Sequence, residues 1–249
     1  MIGATALDGL PEVRAGDDLI ALLHSALPAD GGGPLDVLVL AHKIVSKAEG
    51  RTRRLSEVTP GDRARELAAR LDKDPRHVQV VLDESAEVRR AEHGVLIAVT
   101  HHGFVCANAG VDASNAPDDD TVILLPADPD RSAREIRAGL RARRGTAPAV
   151  LITDSFGRAW RHGQVDVAIG AAGLAPLEDW RGRTDGRGRV LRATLIAAAD
   201  ELAAAADLAR GKDAMQPAVL VTGAQRHVTD QDGPGVAPLL RGAAEDLFR

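Results

Sequence analysis

With 249 residues, 31 basic and 36 acidic side chains and a formal charge of −5, the chain is long enough to bury a substantial core and lacks the cationic excess that sequence-independent nucleic-acid binding requires. Hydrophobic residues at 45% and charged residues at 27% exclude a disordered chain, and aromatics at 2% with no Tyr leave Leu, Val, Ile and Ala to fill the interior. A single Cys106 excludes an internal disulfide framework; no basic stretch leads into an apolar one at the N-terminus, and no apolar run spans a bilayer, so a cytoplasmic protein without membrane partners is expected.

In chain order, residues 6–13 read as a short strand entering a turn at Gly9 and Pro11. Asp17 and Asp18 precede the apolar stretch 19–23, which places acids at a helix N-terminus. Residues 31–34, three Gly and a Pro, predict a loop, and 36–41 an apolar strand covered on both faces. Helical spacing returns over 62–71, followed by a predicted strand at 78–82. Residues 95–100 and 103–107 predict a hairpin through His101 and His102, and 122–125 a further strand. A helix capped near Asp130 is predicted over 131–143, a buried strand over 149–153 ending at Asp154, and an alternating strand over 165–170. The Ala-rich segment 192–208 has high helix propensity, and 217–221 closes the series as a strand. Strands and helices do not alternate strictly, so an α+β fold with mixed sheets is predicted rather than a doubly wound one.

Three polar clusters follow strands, where a rigid scaffold can carry chemistry. In the first, 42–51, Lys43, Lys47 and Arg51 recur every four residues; on a helix they share one face. Such a row suits polyphosphate oxygens, although spacing alone favours a solvated basic face. In the second, 106–115, Asp112 offers a hard carboxylate and Asn108, Ser114 and Asn115 neutral partners. That set fits magnesium or manganese beside a nucleotide, which needs only one or two carboxylates; an Asx turn explains it as well. In the third, Asp154 and Ser155 end an apolar strand, a pattern fitting a metal site or a helix N-cap. A nucleophilic Asp154 would lack the usual second acid, since Phe156 stands there. No G-x-x-x-x-G-K-[ST] loop and no G-x-S-x-G elbow occurs, and Cys106 has no His pattern beside it. Adjacent His101 and His102 make a poor chelating pair and read as turn residues.

Taken together and in this order, Lys43-Ile44-Val45-Ser46-Lys47-Ala48-Glu49-Gly50-Arg51, Ala107-Asn108-Ala109-Gly110-Val111-Asp112-Ala113-Ser114-Asn115 and Asp154-Ser155-Phe156-Gly157-Arg158 resemble the coenzyme F420-0:L-glutamate ligase family. Residues 179–188 and 198–202 share that likeness, which extends over 9–221. The resemblance implies a GTP-dependent ligase that adds L-glutamate to coenzyme F420-0 through an acyl phosphate, with magnesium or manganese ions, two of them, and potassium as a further candidate. It implies one α+β domain over 1–249, built as interleaved lobes in an intertwined homodimer, without the flavin-binding, nitroreductase-like domain fused to some relatives. Carried over by motif, Asp112 and Asp154 would bind one divalent ion and Ser155 would touch a second; Lys47 joins these acids as a catalytic candidate. Gly9, Leu10, Pro11, Glu12, His42, Lys47 and Asn115 would contact GTP, and Arg210, Gly211, Lys212, Asp213, Ala214 and Met215 would close over it. His42 departs from the Ser or Gln more common in relatives, and Lys212 from a Gln near the second metal. Two rival expectations stand beside this one: a ligase of the same fold acting on another carboxylic acid, and a non-catalytic nucleotide-binding sensor or scaffold.

Overall fold

The computed structural model describes residues 1–28, 36–211, 213–242 and 244–246; the loop predicted at 31–34 and Lys212 lie outside them. The chain opens with strand β1 (Gly3–Ala6), which meets the predicted 6–13 only at Ala6; the Leu7 amide still donates to the Ala218 carbonyl, and residues 8–18 form no strand. Helix α1 (Leu19–Ala26) starts where the acids predicted it, with the Asp18 carboxylate accepting from the Ala21 amide. Strand β2 (Val37–Ala41) runs directly into α2 (His42–Ala48).

The chain then leaves this lobe for a second one: β3 (Thr52–Arg54), α3 (Asp62–Leu71), α4 (Pro75–Asp83), β4 (Ser85–Glu92), β5 (Val95–Thr100), β6 (Val105–Ala107) and β7 (Thr121–Ile123). It returns through α5 (Pro129–Arg144), β8 (Ala149–Arg158), β9 (Arg161–Ala172), β10 (Glu178–Asp179), β11 (Leu195–Ile196), α6 (Ala198–Ala209) and β12 (Ala218–Thr222). The expected α+β class with interleaved lobes is therefore what the chain forms.

Five strands make the main sheet in the order β1-β12-β2-β8-β9, with β2 and β8 parallel and the other neighbours antiparallel. Val37, Leu38, Val39 and Leu40 are fully buried, as the unbroken apolar run requires of a strand covered on both faces. Each such side chain contributes roughly 1.5–3 kcal/mol of transfer free energy. Leu23 of α1, Leu140 of α5 and Ala203 of α6 join the same core. A separate core in the second lobe gathers Leu67 and Leu71 of α3, Val78 and Val81 of α4, Leu96 of β5 and Val122 of β7.

Four further expectations change. Residues 78–82 are not a strand but part of α4, because Asp74 caps the helix through the Arg76 amide and Pro75 occupies its first turn. Those two local devices outweigh the β-branched run of Val. Strand β8 does not stop before Asp154 but continues to Arg158, since β9 pairs with it along that length. The helix predicted over 192–208 begins only at Ala198, and Leu195–Ile196 is the strand paired with Glu178–Asp179. The cap of α5 is Asp128, which accepts from the Arg131 amide; Asp130 instead reaches the amides of Ala171 and Val236. Among the described residues no helix is long and apolar enough to cross a membrane.

Candidate active site

Because β2 and β8 run parallel, their C-terminal ends reach the same edge of the sheet, a recurrent place for ligands. A cleft of about 460 Å³ opens there. Leu10, Pro11, Glu12, His42, Lys47, Asp112, Asn115, Asp154, Ser155, Arg210, Gly211 and Met215 line it. Of the remaining candidates, Gly9, Asp213 and Ala214 flank lining residues in sequence but do not line the cleft.

Helix α2 sets the first cluster. Its start at His42 buries that ring, and the step of four turns Lys43 and Lys47 the same way. The face is not solvated: Lys47 is buried, its ammonium 2.5 Å from Glu12 Oε1. Arg51 lies past the end of α2 and leaves the row, pairing with Glu84 of the second lobe at 2.6 Å and donating to the Leu125 carbonyl.

The second cluster follows β6 through a tight turn in which Asn108 and Ala109 take left-handed backbone angles (φ 51 and 52). Asp112 then bridges to Ile123, which aims its carboxyl into the cleft. Both readings of this acid hold. Oδ1 accepts from the Ser114 amide at 2.7 Å, an Asx turn, while Oδ2 accepts from Lys43 Nζ at 2.6 Å across the cleft. Lys43 Nζ also lies 2.5 Å from Ser114 Oγ. Burial pushes the Asp112 carboxyl up, but the Lys43 bond and the Ser114 amide outweigh it, so it ionises below the usual carboxylate range.

The third cluster sits inside β8, so Asp154 is no helix cap. Its Oδ1 accepts from the Ser155 amide and lies 3.3 Å from His42 Nε2. That approach is not aligned as a hydrogen bond, and His42 Nε2 is a buried nitrogen without a hydrogen-bond partner. Ser155 donates its hydroxyl to Asp166 Oδ1 at 2.6 Å, Thr153 donates to Asp166 Oδ2 at 2.7 Å, and Arg210 pairs with the same Oδ2.

Cations and carboxylates thus alternate around the cleft as Lys47–Glu12, Lys43–Asp112 and Arg210–Asp166. Lys43 of the basic row lines it too, as do Thr153, Gln164 and Asp166, which no sequence motif singled out. Asp166 left one trace there, an acid between two valines, which alternation reads as a solvent-facing position. Among the described residues no cluster of three or more His, Cys, Asp or Glu could hold a metal by itself. The donors Asp112, Asp154 and Ser155 are nonetheless hard oxygens, and a magnesium-type ion between protein and phosphates needs only one or two carboxylates, so the residues fit that group. Cys106 is buried, and burial followed by the nearby Asp154 charge pushes its thiol up to about 12, which removes it as a nucleophile. His101 and His102 lie in the turn between β5 and β6, as their adjacency predicts, with their Nε2 atoms against the separate carbonyls of Asp83 and Pro126.

Comparison with known proteins finds relatives along the whole chain. The chain matches a family described as F420-0:Gamma-glutamyl ligase over residues 9–223. It is 46% identical over 251 residues to the coenzyme F420:L-glutamate ligase of Methanothermobacter thermautotrophicus, covering 100% of this chain and 99% of the relative. Identity to the protein of the same name from Methanopyrus kandleri is 45% over 240 residues, with 96% and 94% covered. For that of Haloarcula marismortui it is 43% over 251 residues, with 98% and 94% covered. The chain belongs to the F420-0:gamma-glutamyl ligase family.

Proposed function

We propose that the chain joins L-glutamate to the terminal carboxylate of coenzyme F420-0 at the expense of GTP, as a homodimer. The observation that carries this reading is the convergence of Asp112, Asp154, Ser155, Lys43, Lys47 and Arg210 on one cleft, in a chain whose full length aligns with relatives named for that ligation. A carboxylate is a poor electrophile, so an amide requires a leaving group first. An acceptor carboxylate oxygen attacks the γ-phosphorus of GTP, the bond from that phosphorus to the bridging oxygen breaks, and GDP leaves. The glutamate amine then attacks the acyl carbon, loses a proton, and displaces inorganic phosphate as the carbon–oxygen bond breaks.

In this scheme Lys47 and Asn115, with Leu10, Pro11 and Glu12 alongside, hold the nucleotide, and Lys43 and Arg210 face the transferring phosphoryl group. Preorganised cations of this kind act on charge that develops in the transition state, without reorganisation at the moment of reaction. Divalent ions held by Asp112 and Asp154, with Ser155 beside a second, would screen the converging anions.

Mass spectrometry of purified protein with GTP, manganese, L-glutamate and F420-0 tests the reading. A product heavier by one or more glutamyl units, lost in Asp112→Ala and Asp154→Ala, is the expected result. Tight GTP binding without that product would transfer the assignment to a different carboxylic acid acceptor.

A further inference from the structure

The ligation scheme makes no use of Asp166, yet this acid is 1% exposed in the middle of β9 and lines the cleft. A buried carboxylate is a weak means of stabilising a fold, because well-packed apolar residues of similar volume do at least as well. What distinguishes Asp166 is which groups it gathers. It stands directly opposite Ser155 across the β8–β9 pair, and takes that residue's hydroxyl proton on Oδ1. Thr153, two residues earlier on β8, donates to Oδ2. Arg210, the residue that ends α6, brings its Nη2 to the same oxygen from a part of the chain 44 residues away.

Each contact has a directional consequence. A hydroxyl has one proton, so Ser155, having donated it to Asp166, offers electron pairs to whatever else it meets. The Arg210 guanidinium is 9% exposed and held by one edge, while its Nη1 is a buried donor with no hydrogen-bond partner. Asp166 therefore orients one electron-pair donor and one unspent N–H donor on the wall of the same cleft.

We infer that Asp166 is a positioning residue of the cleft, acting through Ser155 and Arg210 to preset them for a metal–triphosphate ligand. This inference rests on the ligase reading, and its test keeps the two apart. GTP binding in the presence of Mn²⁺ is measured by calorimetry for wild type, Asp166→Asn and Asp166→Glu, each also in a Ser155→Ala background, with kcat and KM for glutamyl transfer where product forms. Asp166→Asn presents an amide N–H to Arg210 and is expected to weaken binding of the manganese nucleotide about 10–100-fold, the range for removing a partner that orients a ligand. Asp166→Glu keeps the charge beside Arg210 and displaces the oxygens by one carbon–carbon bond, about 1.5 Å; it carries the test if Asp166→Asn does not fold. Its expected signature is weakened binding at an unfolding temperature close to wild type.

In the Ser155→Ala background the added loss should be smaller than in wild type, with only the part that runs through Arg210 remaining, because residues acting as a unit are not additive. Wild-type binding in folded variants, or losses that multiply independently of Ser155, would overturn the inference. If wild type binds GTP with Mn²⁺ yet forms no glutamyl product, the acceptor assignment fails while the binding comparison still decides Asp166. If variants match wild type in both binding and product, Asp166 is only structural and the ligase reading stands.

Discussion

Lys43→Met removes one ammonium and keeps most of the length of the stem. That ammonium lies 2.6 Å from Asp112 Oδ2 and 2.5 Å from Ser114 Oγ. Breaking one side of a fully buried pair costs about 3–5 kcal/mol, whereas an exposed pair is worth about 0–1 kcal/mol. Here the side chains are 18% and 44% exposed, so water takes up much of the Asp112 charge once the lysine is gone. The lower range applies, and the variant is expected to lose about 1 kcal/mol of stability at neutral pH. Asp112 ionises below its ordinary range in the folded protein, burial being outweighed by Lys43 and Ser114. Stability from such a group is fully present above the unfolded carboxylate value, about 3.9, and is lost as pH falls through the folded one. The deficit of Lys43→Met should therefore be full at about pH 7 and shrink below about pH 4.

A second effect has the opposite sign. Under the proposed function a divalent cation at Asp112 would displace Lys43 from Oδ2, so deleting this competitor should return the same ~1 kcal/mol to metal binding, about fivefold in affinity. Urea unfolding at neutral and acidic pH, with an electron paramagnetic resonance titration of free Mn²⁺ against nucleotide-free protein, measures both. A stability deficit that ignores pH, or Mn²⁺ binding that weakens, would refute the reasoning.

Two other outcomes follow from the cleft and the sheet behind it. With its thiol raised to about 12 by burial and then by Asp154, Cys106 should react negligibly with Ellman's reagent in native protein at pH near 8 and fully after unfolding; rapid native labelling would contradict the buried position. Gly170 on β9 leaves no room for a side chain, because an added Cβ would stand 2.4 Å from the Pro129 carbonyl oxygen at the start of α5. Gly170→Ala should cost roughly 1–3 kcal/mol or more and lower the urea midpoint, and an unchanged midpoint would show that α5 yields freely.

Much of the cleft was legible in the chain because its signals are local. Polar clusters directly after apolar strands mark sheet ends, and in two of the three cases, after β2 and within β8, the cluster stands at the edge where the parallel strands finish. Acids before α1 were readable for the same reason, since a cap and its amide are three residues apart. Helix α4 stands where the run of Val predicts a strand, because Asp74 caps it and Pro75 starts it, and β propensity yields to those local devices.

By itself, then, the sequence determined the α+β composition and the family motifs around Lys47, Asp112 and Asp154, with the interleaved lobes implied only through that resemblance. Only the tertiary structure decided the partners. Lys43 meets Asp112 69 residues on, and Lys47 meets Glu12 35 residues back. Asp166 shows the physical reason most clearly. A period of two states which residues of a strand share a face, but not which face is covered. Pairing of β9 with β8 and the arrival of Arg210 from the end of α6 turned an acid that alternation assigns to solvent into the buried centre of a hydrogen-bonded cluster.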